Sequence, residues 1–398
     1  MASLPLDSRR AGARNERLIL KLLREKSPLS QKQLCEDTGL GSSTASTIVS
    51  RLREKGLVCE TQGTSTARGP KPVMLRINPE GRYTLGVELN PTVLRIGLFD
   101  YMVKSVDSTE IPLRKCTVEH IVETLTVNSL GLLAKNDIDP DIVQGLGVTV
   151  SGSVSPTGTV ELSSTLGWKH VPLRDLLSKD LNFPVWVFTT RVRLLAEMSL
   201  DHESSVRNVL YLNVADGVGA NAVIDGHLVH GAGNKAGEIG HMIVDPNGPA
   251  CGCGHTGCLE ALTSGRALAQ RIRNDLAMGQ ASALADRIAE EDTHRAIIQK
   301  WGLAIVARDS YALELQDFVT RQLSQALSIA INLYDPQLVI LAGYVCEQCC
   351  ETLIQAIHNT VKNQVYDGAT RTLAIRPARA GRSRYTKGAA IAVLNDED

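Results

Sequence analysis

Three cysteines fall within eight residues of a glycine-rich stretch, Cys251-Gly252-Cys253-Gly254-His255-Thr256-Gly257-Cys258, with Leu259-Glu260 directly after it. Upstream lies Gly237-Glu238-Ile239-Gly240-His241. Thiolates and imidazole suit the same borderline-soft cations, and Cys251, Cys253, Cys258 and His241 together leave no coordination position open. That is the donor pattern of a structural zinc site. Glycine allows the backbone to wrap tightly around one ion. His255 is an alternative fourth ligand, but it sits inside the loop, where its reach is poorer. Without a metal, the same residues would be three free buried thiols. Cys346, Cys349 and Cys350 form a second group, with Cys346 and Cys350 on one helical face. No fourth ligand is near them in sequence, so they read as small buried apolar residues rather than a second metal or redox site.

A different chemistry is offered near the N-terminus. Ser42, Ser43, Thr44, Ser46, Thr47, Ser50 and Arg51 are short hydrogen-bonding groups followed by a cation. At helical spacing they share the outer face of a helix whose inner face is Ala45, Ile48, Val49 and Leu52. Such a face suits insertion into the major groove of DNA. Further on, Arg68-Gly69-Pro70-Lys71-Pro72 places Arg68 and Lys71 in a Gly/Ser/Thr-rich stretch between two β-rich runs, Leu57 to Thr61 and Val73 to Asn78. A hairpin with a basic tip is a wing, able to reach a phosphate or a minor groove.

The elements that position the outer face follow from local pattern. Asn15 to Lys26 carries Leu18, Ile19, Leu22 and Leu23 as an apolar stripe and is stopped by Pro28. Ser30 is an N-cap for a second, short helix, with Gln33 completing a capping box and Leu34 facing inward. That helix ends near Gly39. Ser42 or Ser43 caps a third helix running to Lys55, with Gly56 as its stop. Helix, short helix, glycine turn, helix is the helix-turn-helix order. Residues 1–78 hold 14 basic and 7 acidic residues, a net +7, whereas residues 79–398 carry a net −8. A basic head on an acidic body fits a double-stranded DNA-binding module joined to something else.

The body, 79–398, alternates β-rich and helical runs. Tyr83 to Asp100 splits at Asn90-Pro91, and Ile142 to Val150, Pro184 to Phe188, Val209 to Val214, Ala220 to Ile224 and Leu338 to Ala342 are further β-rich runs. Val118 to Lys135, Gly265 to Met278, Tyr311 to Tyr334 and Gln348 to Gln364 read as helices. This is an α/β body, and its 320 residues suggest two lobes. There is no Gly-x-Gly-x-x-Gly after a strand and no Walker loop. With 43% hydrophobic and 21% charged residues the composition is that of an ordinary soluble globular chain. No run approaches the roughly 20 apolar residues of a membrane span, and no secretory signal follows the N-terminal arginines. Nine cysteines, unevenly placed, argue for a reduced cytoplasmic setting with one metal site rather than a disulfide framework. Aromatics at 4% are too few for single-strand stacking platforms.

From about Gly86 to Ala392 the chain resembles the ROK family (repressors, open reading frames, kinases). The stretch from Gly237 to Glu260 is similar to its signature. Asp216-Gly217-Val218-Gly219 and Asn332-Leu333-Tyr334-Asp335-Pro336 are similar to two weaker landmarks. The wing sequence resembles that of the sugar-responsive repressor branch, which includes the xylose and N-acetylglucosamine repressors. The resemblance implies a two-lobed actin-like, hexokinase-like (ribonuclease H-like) fold with a C-terminal helix returning to the first lobe. It further implies a sugar cleft between the lobes and a homodimer or homotetramer. It implies that Glu238, His241 and Glu260 contact sugar hydroxyls, with His241 also on zinc. Carboxylates accept pairs of hydroxyl hydrogen bonds, and a metal loop would hold Glu260 rigid.

The departures from the family pattern bear on activity. Where family kinases carry Asp-x-Gly-Gly-Thr, this chain has Glu88-Leu89-Asn90-Pro91-Thr92. Pro91 removes a backbone donor and neither residue admits a phosphate as glycine would. Where the kinases carry Glu-Asn-Asp-x-Asn with the Asp as general base, this chain has Phe188-Thr189-Thr190-Arg191-Val192, with no carboxylate. The second glycine pair expected after Leu341 reads Ala342-Gly343-Tyr344. The expectation is therefore a non-catalytic transcriptional regulator, a repressor of carbohydrate-related genes. It would bind a palindromic operator and change its operator affinity when the body takes up a sugar or sugar derivative. The alternatives are a regulator whose body has lost sugar binding and answers a protein partner, and, less favoured, an ATP-dependent sugar kinase.

Overall fold

The structure, a computed structural model, describes residues 8–62, 73–163, 165–200, 206–233, 235–348, 350–379 and 381–395. The chain forms two compact units, Met1–His202 with Ala380–Asp398, and Glu203–Arg379.

The first unit begins with a three-helix head: α1 (Ser8–Lys26), a two-residue strand β1 (Leu29–Ser30), α2 (Gln31–Thr38) and α3 (Ser42–Glu54). The capping box forms as expected. The Ser30 hydroxyl accepts from the Gln33 N–H at 3.3 Å, and the Gln33 side chain accepts from the Ser30 N–H at 2.8 Å. Gly39 closes α2 in the left-handed region at φ 69°. The inner face of α3 is as read: Ala45, Ile48, Val49 and Leu52 are buried. Two local expectations are corrected. Gly41, not Ser42 or Ser43, is the N-cap of α3, and its carbonyl accepts from the Ala45 N–H at 3.0 Å. On α1, Leu18 is 41% exposed and Leu20 is buried beside Ile19 and Leu23. The helix turns its 19/20/23 edge onto α2, α3 and the head sheet, and this rotates Leu18 outward.

Strands β2 (Val58–Gln62) and β3 (Val73–Ile77) pair antiparallel, from Val58 opposite Ile77 to Gln62 opposite Val73. They are the two arms of the expected wing. Its tip, with Arg68 and Lys71, lies outside the described residues.

The body part of this unit is a five-stranded sheet in the order β11-β7-β4-β5-β6, made of β4 (Tyr83–Asn90), β5 (Val93–Asp100), β6 (Ser105–Pro112), β7 (Val143–Val150) and β11 (Val185–Thr189). The first three form a meander that turns at Asn90-Pro91. Helix α4 (Val118–Lys135) leads to β7, which runs parallel to β4. A small three-stranded sheet, β8 (Ser153–Val154), β9 (Val160–Ser163) and β10 (Trp168–Val171), and the short α5 (Leu173–Leu177) precede β11. A 3₁₀ turn at Thr190–Val192 then opens α6 (Arg193–Met198).

The second unit carries the sheet β14-β13-β12-β15-β16. Strands β12 (Val209–Val214) and β13 (Val218–Ile224) form a hairpin across Asp216-Gly217, extended by β14 (His227–Leu228). Helices α7 (Leu259–Thr263), α8 (Gly265–Ala277), α9 (His294–Val306) and α10 (Ser310–Tyr334) lead to β15 (Leu338–Ala342), parallel to β12. Then come α11 (Tyr344–Gln348), α12 (Cys350–Gln364) and β16 (Ala374–Pro377). A single apolar core joins this sheet to α8, α9, α10 and α12, with Trp301 fully buried in it. Cys346 is buried in that core, and burial pushes its thiol up to about 12, consistent with the inert apolar reading. Cys349 lies outside the described residues.

The chain then returns to the first unit as α13 (Arg384–Asn395), seated on β4, β5 and β7. Gly86 and Gly147 are paired in adjacent strands and make this seat possible. A β-carbon on Gly86 would run into the Thr386 carbonyl, and one on Gly147 would stand 2.8 Å from the Ala389 carbonyl.

Candidate functional site

His241 ends a 3₁₀ turn, Ile239–His241, and Cys258 stands as the N-cap of α7. Between them the chain doubles back through Gly254 and Gly257. Gly257 has φ 73°, and a side chain there would run into the Asp245 carbonyl, so the turn needs glycine. The result brings the expected four residues together. The ligand atoms of His241, Cys251, Cys253 and Cys258 all lie within 4.8 Å of one another. Cys251 Sγ is 3.7 Å from His241 Nδ1, and Cys253 Sγ is 3.6 Å from Cys258 Sγ.

His255 takes a supporting place. Its carbonyl accepts from the Cys251 N–H at 2.7 Å, and its Nδ1 lies 3.4 Å from Cys253 Sγ. Hydrogen bonds from the His255 backbone and side chain hold the Cys253 thiol down at about 6. Burial pushes Cys258 up to about 12. Three sulfurs and an imidazole nitrogen converging on one point fit a divalent borderline-soft cation, whose charge offsets the cost of an ionised, buried Cys258.

Glu260 is half-buried in the first turn of α7, immediately after this loop. Its Oε2 accepts from the Val218 N–H at 2.9 Å, and its Oε1 is 3.8 Å from Arg266. It thus ties the cysteine-containing loop to the Asp216–Gly219 turn. Glu238 and His241 are exposed, and the His241 N–H donates to the Glu238 carbonyl at 3.1 Å. Glu238, His241 and Glu260 therefore belong to one segment of one unit.

One relationship at this end of the sheet was not read from sequence. The Tyr344 hydroxyl donates to Asp216 Oδ1 at 2.6 Å, and His294 Nδ1 is 3.6 Å from the same oxygen. The Arg295 guanidinium lies 5.8 Å from the centre of the Tyr344 ring. The tyrosine stands at the carboxyl ends of the parallel strands β12 and β15, where open α/β sheets bind ligands. Its signal in the sequence was a tyrosine where a glycine was expected.

In the first unit the turn after β4 is closed by its own side chain. Asn90 Oδ1 accepts from the Thr92 N–H at 3.3 Å and from the Thr92 hydroxyl at 3.2 Å. Thr189, Thr190 and Arg191 stand at the end of β11, half-buried, with no carboxylate from Phe188 to Val192.

The outer face of α3 presents Ser42, Ser43, Thr44, Thr47 and Arg51, all exposed. The Thr47 hydroxyl donates to the Ser43 carbonyl at 2.9 Å, and Arg51 lies 3.9 Å from Glu16. Among the described residues, no helix is long and apolar enough to cross a membrane.

The ROK family model matches residues 84–396, and a winged helix-turn-helix DNA-binding model matches 13–58. The chain is 25% identical to a xylose repressor of Bacillus spizizenii over 96% of its own length and 94% of the relative's. It is 26% identical to the DNA-binding transcriptional dual regulator NagC of Escherichia coli, over 88% and 85%. Among solved structures it resembles a ROK family transcriptional regulator described as a homologue of the E. coli MLC protein. The TM-score is 0.84 at 26% identity, over 97% of each chain. A ROK glucokinase of Streptomyces griseus, solved with glucose and AMPPNP, gives a TM-score of 0.61 at 25% identity over 78% of this chain and 98% of its own.

Proposed function

Because the chain belongs to the ROK family and carries a winged helix-turn-helix head, we propose that it is a DNA-binding transcriptional repressor of carbohydrate-related genes, and not an enzyme. The observation that carries this reading is the exposed outer face of α3, Ser42 to Arg51, presented by a helix whose apolar face is fully engaged in the head core. Ser42, Ser43, Thr44 and Thr47 read base edges, while Arg51, Arg68 and Lys71 hold phosphates. Two heads, carried by a homodimer or homotetramer, read a palindromic operator with half-sites a helical turn or more apart. One head alone buries too little surface for high specificity.

The body binds a sugar or sugar derivative through Glu238, His241 and Glu260. A ligand that prefers one arrangement of the body shifts the population of DNA-competent dimers, and the coupling is reciprocal. His241, Cys251, Cys253 and Cys258 hold a structural zinc, which supplies rigidity to the loop that positions Glu260. A second reading, a body that answers a protein partner instead of a sugar, draws on Thr189, Thr190 and Arg191, which replace the acidic run of the family kinases.

A kinase reading is disfavoured at three points: Asn90-Pro91 in place of glycines, no carboxylate base from Phe188 to Val192, and a carboxylate–tyrosine pair at Asp216 and Tyr344. Selection of operator fragments from genomic DNA by the full chain, with footprinting in the presence and absence of a sugar panel, tests the proposal. A symmetric footprint that one sugar changes supports it. No sequence-selective protection would overturn it.

A further inference from the structure

Where the head meets the body part of the first unit, a cavity of about 610 Å³ is lined by residues from both. The head contributes Arg17 and Arg24 from α1 and Lys55 from the end of α3. The body contributes Arg82, just before β4, and Tyr101, just after β5. Glu16 is the one carboxylate among the lining residues, and it is already engaged. Lys55 Nζ is 2.6 Å from Glu16 Oε1, and Arg51 is 3.9 Å from Oε2.

The groups in direct contact with Arg24 carry no full negative charge. Its Nη2 donates to the Leu394 carbonyl at 3.4 Å, and its guanidinium lies 5.5 Å from the centre of the buried Tyr101 ring. Among the described residues, no carboxylate lies within 4.0 Å of Arg24 or Arg82. Desolvation by burial pulls the Arg24 guanidinium below its ordinary range. Tyr101 and Glu25 offset that desolvation only in part. A desolvated cation with no carboxylate in contact is costly, and an anion brought to it recovers that cost.

We propose that this joint is a binding site for a small multivalent organic anion, held by Arg24 and Arg82 and supported by Arg17 and Lys55. Planar guanidiniums from two sides suit the forked oxygens of a phosphate or carboxylate. The volume lies in the range of small-molecule sites. Leu20, Leu57 and Tyr101 also line the cavity and give it an apolar part. The site is separate from Glu238, His241 and Glu260, which belong to the second unit. Because its cations come from α1, the end of α3 and the body, an occupant ties the head to the body.

Calorimetric titration of the full chain with sodium pyrophosphate, sodium citrate and, at matched ionic strength, sodium chloride tests the proposal without DNA, so it stands or falls apart from the repressor reading. Saturable binding of pyrophosphate or citrate, but not chloride, is expected, and which of the two binds separates phosphate from carboxylate chemistry. Arg24→Gln and Arg82→Gln should each weaken binding at least tenfold. Arg14→Gln, on α1 but outside the cavity, should leave it unchanged. Arg82 is only half-buried, so its variant keeps the test open should Arg24→Gln fail to fold. The proposal is overturned by no saturable binding of either anion, by unaltered affinity in Arg82→Gln, or by an equal loss in Arg14→Gln.

Discussion

The Tyr344 hydroxyl reaches across 128 residues of sequence to donate to Asp216 Oδ1 at 2.6 Å. Strands β12 and β15 lie side by side and parallel, so the turn after one and the helix start after the other meet at the same end of the sheet. The pair places a carboxylate and a phenol at that end, and a carboxylate disfavours an anion such as a phosphate there.

From this pair and the two altered segments of the first unit follows a prediction about catalysis. Incubation with ATP, Mg²⁺ and a panel of hexoses and N-acetylhexosamines should give no sugar-dependent ADP release. Phosphoryl transfer needs the γ-phosphate positioned and the attacking hydroxyl oriented. Loss of a general base alone removes about 10²–10⁴-fold in rate. Sugar-dependent turnover that disappears in Glu238→Ala would show a working kinase.

Tyr344→Phe should fold and lose only a little stability. The Asp216 side chain is 73% exposed, so water replaces the lost donor. The cost should be about 1 kcal/mol or less, below the roughly 1.5–3 kcal/mol typical of a hydrogen bond to a charged group, because the acceptor stays solvated. A large drop in the denaturation midpoint would mean that the pair organises the sheet end rather than merely occupying it.

Purified without chelator, the protein should carry one zinc per chain by elemental analysis. Cys253→Ser should lose it, and so should Gly257→Val, whose side chain meets the Asp245 carbonyl. Protons compete with the metal for sulfur and imidazole, so affinity should fall as pH is lowered from 8 to 6, read by competition with a chromophoric chelator. Metal-free protein of unchanged thermal stability would count against a structural role.

On the head, Arg51→Ala should weaken operator binding and reduce the magnitude of its salt slope by about 1, as expected for one lost phosphate contact. Thr44→Ala and Thr47→Ala should instead change which base pairs are preferred at fixed salt. Binding titrations at several salt concentrations on a mutated-operator series separate the two effects.

Ile48→Ala removes a buried side chain from the centre of the head core. It should cost about 2–5 kcal/mol of head stability and abolish DNA binding, with the zinc content unchanged. Equal loss of zinc would mean that the head and the second unit do not unfold separately.

Much of the molecule could be read from the sequence alone because the deciding interactions are short-range. The Ser30–Gln33 box, the left-handed Gly39 and the buried Ala45/Ile48/Val49/Leu52 face depend on residues three or four apart. The metal quartet spans 18 residues from His241 to Cys258 and needs only glycine turns between its ligands. The turn at Asn90-Pro91 lies between two mainly apolar strands of eight residues.

Tertiary packing decided the rest, because periodicity gives the shape of an element but not its rotation or its neighbours. Leu18 and Leu20 are both leucines on one helix, and only the direction in which α1 meets the head sheet makes Leu20 the buried one. Glu260 is a free carboxylate in the sequence, and the nearness of β13 to α7 turns it into the acceptor for the Val218 amide. Arg24 and Arg82 are ordinary surface cations by composition. They converge because α13 returns to the first unit and brings Leu394 to α1, and because Tyr101 packs into the head core. Contacts between residues tens to hundreds of positions apart leave no periodic trace, so only the folded chain reveals them.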